Sequence, residues 1–319
     1  MTKQRNFTDL EYANRKRRTR RDEFLETMNE VIPWDEMTAM IAPYYPSGKR
    51  GRPPRGIEIM FRMYLLQSWF NLSDEGVEDA IYDSYAFRNF MGVTFETEEQ
   101  VPDATTLCNF RKLIDENGIA KMFFESVRTF LDKHGKIMHG GTIVDATLID
   151  APISTKNETK SRDSEMSSVR KGCQWYFGER LFVGVDAGSG YIHSADVTAA
   201  RVGEITNAHK LIRDDDEVFY GDAAYTGLEK REEIKGKSLK TYQIGDKNRR
   251  RMHGWDAYIE WQKSRVRSKV EYVFLIIKRI FGYRKVRYRG LGKNMTHGYT
   301  LCALANFYML AQSGWRKAY

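Results

Sequence analysis

Thr142-Ile143-Val144-Asp145-Ala146-Thr147 is the stretch whose reading decides the fold. It follows Gly140-Gly141, is rich in β-branched residues and holds one charge, so it reads as a buried strand carrying an aspartate. Leu181 to Asp186 reads as a second strand, Ala187-Gly188-Ser189-Gly190 as a turn, and Tyr191 to Thr198 as a returning third. A helix is predicted over about Glu204 to Ile212, and a short buried strand at Val218-Phe219-Tyr220-Gly221-Asp222. Another helix begins near Gly227, Leu239 to Ile244 is a fifth strand, and a long helix runs from about Trp255 to Phe281. Three strands, helix, strand, helix, strand, helix is the order of a ribonuclease-H-like α/β fold, a mixed sheet flanked by helices.

In that layout the first and fourth strands are neighbours. Asp145, expected at the end of the first, and Asp222, at the end of the fourth, would stand side by side at one sheet edge. Crowded carboxylates repel unless a cation neutralises them. Hard oxygen donors with room for water and phosphate suit Mg²⁺ or Mn²⁺. The last helix supplies a third acid. Val266, Val270, Val273, Phe274, Ile277 and Phe281 form its apolar stripe. At 100° per residue, Arg267, Glu271 and Lys278 fall within about 40° of one another at the stripe's border. Arg267 and Glu271 alone are also an ordinary i,i+4 ion pair. Joined to the two aspartates, Glu271 reads as the third metal ligand, with Arg267 and Lys278 steadying phosphate. Two divalent metals about 3.5–4 Å apart would clamp a scissile phosphodiester and activate water or a 3′-hydroxyl.

Upstream of the His134-Gly135-Lys136 boundary the character is all-helical. Ile57, Met60, Phe61, Tyr64, Leu65 and Trp69 recur at helical spacing, Ser73 and Asp103 stand at N-cap positions, and Ile119 to Leu131 repeats the pattern. The chain therefore divides into a basic arm (1–21), a helical DNA-binding module (22–135) and a catalytic domain (136–319). The arm holds eight Lys or Arg against two acids; Arg17 and Arg18 either contact DNA or belong to a solvated tail. Arg50 and Arg52 lie in a Gly-Lys-Arg-Gly-Arg-Pro run suited to a minor groove or to a plain basic linker. The helix after Pro102-Asp103, with Asn109, Arg111 and Lys112, is either a recognition helix or ordinary packing. Lys247, Arg249, Arg250 and Arg251 precede the last helix, and residues 278–293 carry seven Lys or Arg and no acid, Arg287 and Arg289 among them. Both runs flank the proposed site, where double-stranded DNA would pass. Trp175 and Trp255 either stack on a displaced base or belong to the core.

The formal net charge of +8 fits a polyanionic partner. No run of apolar residues is long enough to span a membrane. Cys108, Cys173 and Cys302 are far apart and outside any metal-ligand spacing, so they are expected to be buried thiols of a cytoplasmic protein.

Several motifs occur together in one order: Asp145-Ala146-Thr147, Ala151-Pro152-Ile153-Ser154-Thr155-Lys156-Asn157, Arg162-Asp163-Ser164-Glu165-Met166, Lys171 to Gly178, Asp222-Ala223-Ala224-Tyr225-Thr226-Gly227 and Arg287 to Asn294. Over about residues 10–310 the chain resembles the bacterial insertion-sequence-five family of DDE transposases. The resemblance implies a transposase that acts on its own terminal inverted repeats and transfers strands into target DNA. It carries the three family acids over to Asp145, Asp222 and Glu271, and implies two divalent ions, a homodimer on DNA and a nucleoid-associated bacterial setting. Ser264 stands where the related Tyr-Arg-Glu-Lys signature has tyrosine, Tyr272-Val273 where members often have His-Pro, and Glu204 where a family aspartate follows the third strand. Two rival readings stay open: a ribonuclease-H-like nuclease or resolvase without strand transfer, and a domesticated DNA-binding protein that has lost catalysis.

Overall fold

A computed structural model of the chain describes residues 14, 16–48, 53–93, 101–158, 160–246, 248 and 251–315. Among the described residues seven helices come first: α1 (Arg20–Val31), α2 (Trp34–Ile41), α3 (Ile57–Phe70), α4 (Asp74–Asp83), α5 (Tyr85–Met91), α6 (Ala104–Glu116) and α7 (Ile119–Lys133). Their starts are built locally. Thr19 and Asp22 form a reciprocal capping box on α1, Ser73 accepts the Gly76 amide at α4, and Asp103 accepts the Thr106 amide at α6.

The sheet holds β1 (Thr142–Asp150), β2 (Ser167–Lys171), β3 (Gln174–Asp186), β4 (Ile192–Ala199), β5 (Val218–Gly221) and β6 (Thr241–Ile244). One edge of β3 pairs antiparallel with β1; β3 also pairs antiparallel with β4 and, over its first residues, with β2. β5 joins β1 in parallel and β6 joins β5 in parallel. The order β4-β3-β1-β5-β6 is the ribonuclease-H-like one, with the β2 hairpin added. Gly141 makes the β1–β5 approach possible: its φ is +95°, and a Cβ there would run into the Val218 carbonyl.

Two expected helices and two cysteines differ from the sequence reading. The helix expected to reach Ile212 is one turn, α8 (Glu204–Asn207), followed by a 3₁₀ turn. The helix expected near Gly227 is a pair of 3₁₀ turns at Leu228–Lys230 and Glu232–Ile234. Cys108 and Cys173 are exposed rather than buried, the first on α6 and the second in the β2–β3 turn; only Cys302 is buried.

Two long helices complete the chain, α9 (Gly254–Leu275), prolonged by a π turn at Ile276–Ile280, and α10 (Leu291–Gln312). β1 divides its side chains between two cores. Ile143 and Ile149 join a large one with α9, α10 and the N-terminal helices, while Val144 joins a smaller one with Phe182, Phe219 and Tyr225. The large core runs without a break across residue 136, with Leu65 and Phe123 in the same cluster as Val183 and Leu304. Asn306 on α10 pins the sheet by accepting the Ile192 amide at 2.9 Å and donating to the Ile192 carbonyl at 2.8 Å. On the module side, the hydroxyls of Tyr64 and Thr300 lie 2.7 Å apart. Among the described residues no helix is long and apolar enough to cross a membrane.

Candidate active site

The β1–β5 register brings the two aspartates together. Thr142 faces Phe219 and Ile143 faces Tyr220, so the constant offset of 77 residues sets position 222 beside position 145. Asp145 lies inside β1, which continues to Asp150, and not at the strand's end as expected; it is β5 that stops there, with Asp222 the next residue. The site opens where the shorter strand runs out.

Each aspartate spends one oxygen locally. Asp145 Oδ1 accepts its neighbour's Ala146 amide at 2.7 Å, and Asp222 Oδ1 accepts the Ala224 amide at 2.8 Å, capping a 3₁₀ turn. Among the described residues neither Oδ2 has a hydrogen-bond partner. Burial pushes the Asp145 carboxyl up to about 6; the charges of Glu204 and Asp222 push it the same way, against the Ala146 amide and Arg267. Glu204, paired with Arg180 across the strand ends, is raised by its own burial.

α9 closes the site. Asp145, Asp222, Ser264, Arg267, Val270 and Glu271 line one cavity of about 70 Å³. Val270 and Val273 are buried against the sheet, which sets the helix rotation that turns Arg267 and Glu271 toward the aspartates. Gly245, directly after β6, leaves room for the Arg267 guanidinium, which a Cβ there would strike. Glu271 is exposed and has no hydrogen-bond partner among the described residues. Three carboxylates with unpaired oxygens are a hard donor set that suits Mg²⁺ or Mn²⁺. Among the described residues no three acids, histidines or cysteines are already gathered at ion-holding distance.

Other cations read from the sequence are engaged elsewhere. Lys278 donates to Thr147 Oγ1 at 2.8 Å and the Leu148 carbonyl at 2.7 Å, so it fastens the helix to β1 rather than facing open solvent, and burial lowers its pKa. Arg111 makes a bidentate pair with Asp74 and lies 4.9 Å from the Tyr288 ring centroid; its guanidinium belongs to the module's packing, not to an exposed DNA-reading face. Arg287 donates to the Leu72 carbonyl and to Asn71 Oδ1, tying the segment after the π turn to the module. Arg17, Arg18, Lys112, Arg251 and Arg289 are exposed, Arg18 against Glu26 and Lys112 3.7 Å from Glu116. Arg50, Arg52, Lys247, Arg249 and Arg250 lie outside the described residues.

The sequence reading did not single out Arg180 or Tyr225. The buried Tyr225 hydroxyl has no partner among the described residues, and the charges of Glu204, Asp145 and Asp222 act on it. Its place three residues after Asp222 was the available signal.

Comparison with known families gives two matches. The family described as Transposase DDE domain matches residues 137–307, and the one described as Transposase domain (DUF772) matches residues 13–113. No solved structure matches the chain.

Proposed function

The chain belongs to the DDE transposases, and from that premise we propose that it binds the terminal inverted repeats of its own insertion sequence, cuts there and joins the freed ends to target DNA. The observation that supports the reading is the one cavity shared by Asp145, Asp222, Arg267 and Glu271. Asp145, Asp222 and Glu271 would hold two divalent ions, Mg²⁺ or Mn²⁺, which when bound supply charge neutralisation and activation of the attacking oxygen.

The chain's own groups do the positioning. The Ala146 and Ala224 amides fix one oxygen of each aspartate, leaving the other without a hydrogen-bond partner among the described residues. Arg267, held over Gly245, has no acidic partner among the described residues and would take a non-bridging phosphate oxygen. The exposed cations Arg17, Lys112, Arg251 and Arg289 would follow the DNA backbone together with Arg50, Arg52, Lys247, Arg249 and Arg250. A homodimer would hold two ends for one joining event, in a cytoplasmic setting.

The test uses DNA carrying the flanks of the protein's own gene, with Mg²⁺. Asp145→Asn, Asp222→Asn and Glu271→Gln should each abolish nicking while end binding persists. A variant that nicks near the wild-type rate would remove that residue from the ligand set. Nicks without any joined product would favour the nuclease reading over strand transfer.

A further inference from the structure

The N-terminal half of α9 carries three large rings that the catalytic pocket does not use. Trp255, Tyr258 and Trp261 are 71%, 48% and 54% exposed. They are ordered against one another. Trp255 and Tyr258 stack with centroids 5.3 Å apart and planes at 27°, and Tyr258 and Trp261 follow at 6.0 Å and 31°. The Arg265 guanidinium ends the row, 5.8 Å from the Trp261 centroid. Ordered aromatic surface of this size left in water marks a place where something binds.

Charge decides between occupants. Residues 247–269 hold eight Lys or Arg against two acids. A symmetric contact with a second copy would press two such segments together, which like-charge repulsion opposes. A polyanion fits. Duplex DNA keeps its base faces stacked and offers phosphates alone to flat rings, whereas unpaired bases present a π face to any aromatic. The position fits as well. At 1.5 Å per residue, Trp261 lies about 9 Å along the helix from Arg267 and about 15 Å from Glu271, the reach of a few nucleotides.

We infer that Trp255, Tyr258, Trp261 and Arg265 form a stacking site for unpaired bases of a DNA strand that runs along α9 toward the Asp145–Asp222–Glu271 pocket. Trp255, the most exposed ring, takes the outermost base, and Arg265, against the Trp261 ring, meets the backbone at the inner end of the row. The inference rests on the chain being a DNA-processing enzyme; the base-stacking role itself belongs to these side chains.

The experiment titrates the full-length protein with a short fluorescein-labelled oligo(dT) and with a duplex of the same length. Trp255→Ala and Trp261→Ala should each weaken oligo(dT) binding by at least about five-fold, leave duplex binding unchanged, and melt at the wild-type temperature. Trp255→Phe, which keeps a π face, should retain most of the oligo(dT) affinity. Wild-type oligo(dT) affinity in both alanine variants overturns the inference. So does an equal loss on duplex, or a drop in sedimentation coefficient with oligo(dT) binding intact, which would make the row a protein–protein contact. Nicking of end-bearing DNA by wild type and by Asp145→Asn, run alongside, separates the two readings. Asp145-dependent nicking with no stacking effect removes the row alone; stacking without such nicking removes the transposase reading alone.

Discussion

At the scale of the residue, side chains are sorted by whether their polar atoms are used. Asp145 and Asp222 each keep an oxygen uncommitted beside the other, and Arg267 lies across a glycine that cannot obstruct it. The sequence reading named both aspartates from their strands and Glu271 from its helical face, and the structure brings the three to one cavity. Glu179 was not legible. It is fully buried, its Oε1 takes the Tyr283 hydroxyl at 2.8 Å, its Oε2 has no partner among the described residues, and burial pushes its pKa up to about 7. A carboxyl raised from 4.5 to about 7 favours the fold fully below 4.5, and that contribution is lost as pH rises through about 7. Glu179→Gln should therefore raise stability at pH 8 by up to about 3 kcal/mol and change it little at pH 5. Urea melts at the two pH values check this, and an equal shift at both would show that charge is not the cause.

At the scale of the element, period is what the sequence encodes and partners are what it omits. A regular α-helix puts Lys278 on the same face as Arg267 and Glu271. The helix changes to a π turn at Ile276–Ile280, and the Lys278 ammonium reaches Thr147 and Leu148 on β1. Lys278→Met keeps the stem but strands the Leu148 carbonyl. It should cost about 1–3 kcal/mol in chemical unfolding and leave DNA affinity unchanged; a loss of affinity at unchanged stability would return Lys278 to phosphate binding. Elements escaped notice where the period fails. The exposed strand β2 shows no apolar alternation. α10 buries Leu301 through Phe307 as one run, so it has no polar stripe to mark it as a surface helix. Where a helix was expected to reach Ile212, the chain instead tightens into 3₁₀ after Asn207 and reaches the Arg213–Asp216 turn.

At the scale of the whole molecule, α10 is wrapped by the sheet on one side and by α1, α3, α6 and α7 on the other. The N-terminal helices therefore share a core with the catalytic sheet. Residues 1–136 and 137–319 made separately should each expose that surface and aggregate or remain unfolded, while the full chain unfolds in one cooperative transition; circular dichroism and calorimetry check it, and two soluble, independently melting halves would contradict it. The change at residue 136 was legible because composition shifts there from helical to strand periods. That the two parts pack as one was not, because it depends on a helix at the far end of the chain. By itself the sequence determined the order of the five strands other than β2 and the long helix α9, the 77-residue offset that pairs two aspartates, and the helical face bearing Glu271, since all three follow from local periods and register. Only the tertiary structure decided which cations are consumed inside the fold, which aromatics on α9 stand in water, and how the helical module is held. Those outcomes depend on which surfaces meet, and side chains of one type, such as Arg111 and Arg251, take opposite fates according to what lands on them.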